Sequence, residues 1–133
     1  MEKEFIPYEL AVKLKELGFN EPCFAWYVSK KYGLEFGKVT KENLFDEGVL
    51  APTFSQVFRW FEDKHQLHPS VVIDQTSYPK YAFEIASFFG NPKDLTEKDW
   101  GWNEMILSKN LYRTRLEAEI ECLKKLLELV KNK

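Results

Sequence analysis

The residues of this chain that could do chemistry are few. Two histidines, His65 and His68, and two cysteines, Cys23 and Cys122, are all it has of either type. A His-x-x-His spacing on a continuous helix could hold a divalent metal. Pro69 follows directly, however, and the residue before a proline avoids helical dihedrals. No metal site is expected, and His65 belongs at a helix C-terminus, where partial positive charge is favourable. The spacing of Cys23 and Cys122 matches neither a zinc knuckle nor a redox pair, so both are expected as reduced, buried, small hydrophobes. Neither a Gly-x-Ser-x-Gly elbow nor a cysteine beside a histidine occurs. The carboxylates Asp46, Glu47, Asp74, Glu84, Asp94 and Asp99 fit solvated faces, since 30% of the chain is charged. Glycines 33, 37, 48, 90 and 101 form no phosphate cradle ahead of a helix. The expectation is a chain with no catalytic residue and no cofactor, leaning away from an enzyme.

The aromatics are the remaining signal: eleven Phe, six Tyr and four Trp. Trp100-Gly101-Trp102 lies among charged residues in a predicted loop, and Trp26-Tyr27 on a predicted strand. Each could form a stacking platform for a base, a nucleotide or a partner side chain. Arg59 and Trp60, adjacent on a predicted helix, could make a partner-facing patch. Trp26, Arg59, Trp60, Trp100 and Trp102 are therefore the candidate ligand- or partner-binding residues.

The elements that must position them follow from periodicity. The chain of 133 residues suits a single globular domain, 1–133, and its 44% apolar content supports a core without disulfide or metal. Pro7 suits a first helical turn and Gly18 the position past the end, with Leu10, Ala11, Leu14 and Leu17 at helical spacing between them; this predicts a helix over 7–17. Residues 23–28 alternate as a strand, with Phe24, Trp26 and Val28 on one face. Over 29–50 the pattern admits a short strand at 34–36, in a hairpin, or a short helix over 41–46. Thr53 and Gln56 have capping-box spacing ahead of Phe54, Val57, Phe58 and Phe61, which predicts a second helix to about residue 65. Val71–Ile73 and Tyr81–Ile85 read as a hairpin around Ser77-Tyr78-Pro79. Residues 90–103 read as a loop, 104–108 as one further strand, and Thr114-Arg115-Leu116-Glu117 opens a helix to about residue 130.

That order predicts an α+β fold: a small antiparallel sheet of three to five strands packed by about three helices, with the long C-terminal helix central to the core. The last helix carries apolar residues over an arc of about 200°, about twice what one sheet covers. The excess is expected to be shared with another layer or with a second copy, which makes Glu119, Cys122, Leu126 and Leu129 candidates for a homodimer contact.

Three segments carry a resemblance. Glu4-Phe5-Ile6-Pro7-Tyr8-Glu9-Leu10-Ala11, with its continuation Leu14 to Phe24, resembles the start of a group of short uncharacterised proteins of bacteriophages and gut Bacteroidetes-type genomes. Ala51 to Phe61 is similar to their central helix and Glu117 to Leu126 to their closing one. The resemblance implies a phage or mobile-element setting and transfers no activity and no residue role.

The net charge of −2 removes the usual electrostatic warrant for a nucleic-acid binder. A terminal helix after a sheet is an order found in double-stranded RNA-binding domains, yet here Arg113 and Arg115 are offset by Glu117, Glu119 and Glu121. No run is long enough for a membrane span, and the acidic opening is unlike a signal peptide, so a cytoplasmic protein is expected. The leading expectation is a non-enzymatic protein-interaction domain forming a homodimer. The alternative is a small-molecule or nucleotide-sequestering protein using its loop tryptophans.

Overall fold

The computed structural model describes residues 2–45, 47–75, 80–89 and 101–132, with the backbone alone for 88, 89 and 101–103. The fold is α+β, with three α-helices and two antiparallel three-stranded sheets among the described residues. The chain divides into two compact units, one of residues 1–57 with 127–133 and one of residues 58–126.

In the first unit, helix α1 (Tyr8–Glu16) starts from Pro7, whose φ of −62° suits the helix entry and whose carbonyl accepts from the Leu10 and Ala11 amides. It buries Leu10, Ala11 and Leu14. Its end is a Schellman motif: the Phe19 amide donates to the Leu14 carbonyl and the Gly18 amide to that of Lys15. Gly18 sits at φ +96°, a conformation that costs glycine little and a side-chain-bearing residue more.

Strands β1 (Cys23–Tyr27), β2 (Leu34–Val39) and β3 (Val49–Leu50) form a sheet in the order β2-β1-β3. Of the sequence alternatives for residues 29–50, the strand is realised and extends to Val39, while the helix expected over 41–46 is reduced, among the described residues, to a single short turn. β2 closes a hairpin with β1, and a one-turn 3-10 helix spans Lys41–Asn43. The face of β1 that packs inward is Cys23 and Ala25, while Phe24 points outward and is 68% exposed. Tyr27 ties the N-terminal segment to this sheet, its hydroxyl donating to the Ile6 carbonyl at 2.8 Å.

Helix α2 (Phe54–His65) is capped by Thr53, whose Oγ1 accepts from the Gln56 amide at 3.1 Å. Gln56 does not reach back to complete the box. Its amide group donates instead to the Pro22 carbonyl at 2.9 Å. The helix stops at His65, and Gln66, at φ 51°, turns the chain directly into β4.

The second sheet is a meander in the order β4-β5-β6, with β4 at Leu67–Asp74, β5 at Lys80–Phe89 and β6 at Gly101–Leu107. β4 begins four residues earlier than the alternation predicts. It includes Pro69, which is tolerated because β4 is an edge strand. β6 takes up residues 101–103, assigned to a loop from composition; the rest of that loop and the turn Ser77-Tyr78-Pro79 lie outside the described residues. Beyond β6, the Ser108 amide donates to the Phe83 carbonyl while its Oγ accepts from the Phe83 amide at 3.2 Å, and Tyr112 and Tyr81 exchange both amide hydrogen bonds. The sheet therefore continues up to the start of the last helix.

Helix α3 (Arg115–Lys131) packs against this sheet. Thr114 caps it by accepting from the Glu117 amide at 3.1 Å, and the Glu117 carboxylate accepts from the amide of Arg113. Tyr112 stacks on Phe83, and the Arg115 guanidinium lies 5.5 Å from the centre of the Tyr81 ring. The inward stripe of the helix is Ala118, Cys122, Leu123 and Leu126, all at 0% exposure.

Candidate functional site

The structure distributes the candidate residues unequally. Trp26 is half-buried on β1, its ring packing where Gly37 has no side chain. Arg59 is exposed on α2, but Trp60 is only 4% exposed, its ring set edge-on against Phe61 and His65. The expected Arg59–Trp60 patch is thereby corrected, because the tryptophan is core. Trp100 lies outside the described residues. The backbone of Trp102 lies in β6, opposite Phe88.

On α3, Cys122 and Leu126 are closed off within one chain, while Glu119 and Leu129 are half-buried. Leu116, Ile120 and Val130 are also half-buried rather than exposed. Burial is the main cause that pushes the Glu119 carboxyl above the usual range, and the nearby Arg115 charge acts the other way. The wide apolar arc of the helix is thus largely taken up by its own chain.

The two cysteines are buried, free thiols. Burial is the largest cause in each case and pushes both up to about 12, aided by Glu21 for Cys23 and by Glu119 for Cys122. Neither is a thiolate at neutral pH, which is the form that attacks an electrophile or binds a metal. The two histidines are separated by the end of α2, so they do not share one helical face. Among the described residues, no group of three His, Cys, Asp or Glu side chains could hold a metal ion.

What sequence reasoning missed is the outward face of the second sheet. Strand alternation puts Tyr81, Phe83 and Ile85 on the helix side and Ala82, Glu84 and Ala86 on the other, where Ala86 is only 7% exposed and Ala82 and Glu84 are half-buried. Register then builds rows across the outward face. His68, Ala86 and Met105 form one row, Ser70, Glu84 and Leu107 the next, and Val72 and Ala82 the third. Met105 is 53% exposed and Leu107 61%, at the β6 side of this face. The signal was present in the sequence: Met105, Ile106 and Leu107 are apolar on both sides of one strand. Apolar residues on both sides of a strand are the pattern of strands covered on both faces.

No family model matches the chain, and neither curated proteins nor solved structures yield a match.

Proposed function

We propose that this protein is a non-enzymatic interaction domain that self-associates through the outward face of the β4-β5-β6 sheet. The observation that carries the reading is the exposure of Met105 and Leu107 in adjacent rows of a regular sheet face. The occupant is a second copy, because the face is complementary to itself. A two-fold axis crossing β5 at Ile85 sets Leu107 over the second copy's Met105, and Glu84 over the second copy's Ala86. His68 is next to Ala86 in its row, so the Glu84 carboxylate comes beside an imidazole of the other copy. An isologous contact needs this reciprocity, and stacked sheets are about 10 Å apart, the distance over which such side chains interdigitate.

Strands about 4.8 Å apart and rising about 3.3 Å per residue make three strands and three or four rows a small face, well under the standard interface size. The association is therefore weak, in the micromolar range. Sedimentation velocity from about 1 µM to about 1 mM tests it. The expected result is a concentration-dependent monomer–dimer equilibrium that Leu107→Lys abolishes. A strict monomer across that range would end the proposal. The phage or mobile-element setting and a cytoplasmic location belong to the same reading. They rest on the resemblance and on the sequence reading above.

A further inference from the structure

The geometry points to a binding site for a small hydrophobic monocarboxylate in the first unit, independent of the self-association face. A pocket of about 140 Å³ opens there, lined by Ala11, Phe19, Leu44 and Leu50 with Lys15 and Lys41 as its charged members. An apolar cavity of about this size accommodates a benzene-sized group, so the body of the ligand is one aromatic ring or a chain of about six carbons.

The pocket is built by local rules rather than left over from packing. The Schellman end of α1 turns Phe19 inward and leaves Lys15 in the last turn. The Gly48 amide donates to the Phe45 carbonyl at 2.8 Å, a hydrogen-bonded turn beside the pocket. A Cβ at position 48 would meet Leu44 side-chain atoms and the Phe45 carbonyl oxygen at 3.1 Å, a close approach that favours glycine. That turn aims the Gly48 carbonyl at Lys15, whose Nζ donates to it at 3.2 Å. Lys15 is exposed, and its ammonium has two further N–H donors beyond this bond.

Charge decides the ligand class. The C-terminal end of α1 carries about half a negative charge, which offsets part of one ammonium. Among the described residues that line the pocket, Lys15 and Lys41 are the charged ones, both exposed, and together they favour one anionic group. Among the described residues, no arginine lines the pocket to hold a phosphate dianion. A carboxylate on an apolar body satisfies both the walls and the cations.

The test uses benzoate as probe, with hexanoate, benzyl alcohol and benzylamine alongside, followed by amide chemical shifts of the whole chain. For a ligand of about nine heavy atoms, a dissociation constant near about 1 mM is expected. Shifts should be concentrated at Gly18, Phe19 and Leu44. Benzyl alcohol should bind about tenfold more weakly, and benzylamine should not bind. Lys41→Gln and Lys15→Gln should each weaken benzoate by about three- to fivefold, the effect of one partly exposed ion pair. Lys41 is exposed and keeps the test valid if Lys15→Gln disturbs the turn. No shift at these amides at about 20 mM benzoate, or equal affinity for benzyl alcohol, would overturn the site.

Discussion

Truncating Leu107 to alanine weakens self-association without weakening the fold, and the size of the effect follows from exposure. Full burial of a leucine is worth about 1.5–3 kcal/mol. Leu107 retains 61% of its surface in the single chain, so about 1–2 kcal/mol remains to be gained in a contact, of which alanine keeps about a third. The loss is about 1 kcal/mol per copy and symmetry counts it twice, giving about 2 kcal/mol, or about thirtyfold in the dimer dissociation constant. Met105→Ala acts similarly from its 53% exposure. Because both side chains already face water in the monomer, the urea midpoint of the unfolding transition should move by less than about 0.5 kcal/mol equivalent. Phe24→Ala is the control: it removes a side chain that is 68% exposed on the other sheet and should leave association unchanged. A Leu107→Ala protein that dimerises within about threefold of the parent, or a Phe24→Ala protein that loses the dimer, refutes the reasoning.

Three further outcomes test the fold itself. Thr53→Ala removes the Oγ1 that accepts from the Gln56 amide at 3.1 Å, and should cost about 1 kcal/mol in thermal or urea unfolding. Glu119 has a folded-state pKa raised chiefly by burial, so the native state holds its proton more tightly than the unfolded chain. Its contribution is fully present below the unfolded value and is lost as pH rises through the folded one. Glu119→Gln should therefore flatten the stability profile as pH rises above the ordinary carboxylate range and be no less stable at neutral pH, as read from urea midpoints. Cys23 and Cys122, both pushed up to about 12, hold about one thiolate in ten thousand at pH 8. They should be inert to an aromatic disulfide reagent in the folded protein and react fully once it is denatured.

The elements bounded by strong local chemistry were legible in the sequence. Pro7 and Gly18 marked α1 to within a residue at each end, and Thr53 and Thr114 marked the starts of α2 and α3. Strand lengths were less legible, because alternation shows where a strand is amphipathic and not where its ladder ends. β4 therefore begins at Leu67, through a proline that an edge strand accepts. Two sheets form where one was expected because β1–β2 and β4–β5–β6 each pair with their neighbours in sequence. Of the candidate site residues, Trp60 misled because residue type alone cannot tell an aromatic anchor from a core ring. Trp100 and the side chain of Trp102 lie outside what the structure describes.

The apolar excess inferred for α3 illustrates what a helical arc can and cannot say. An arc measures how much of a helix is greasy, whereas coverage depends on every element around it. Leu116, Ile120, Leu129 and Val130 are half-buried at the rim, so one chain suffices for most of the arc. The exposed surplus falls on β6 instead, where Met105 and Leu107 oppose Ile106 across the strand. There a single carboxylate restricts how two copies meet. A two-fold axis along the strands would stack Glu84 on the second copy's Glu84, and like charges drawn together out of water are costly. The axis across the strands at Ile85 is the arrangement that separates the two carboxylates while bringing Leu107 and Met105 together. Glu84→Gln should therefore relax the choice of register without abolishing association, and Glu84→Lys, facing the second copy's His68, should oppose it.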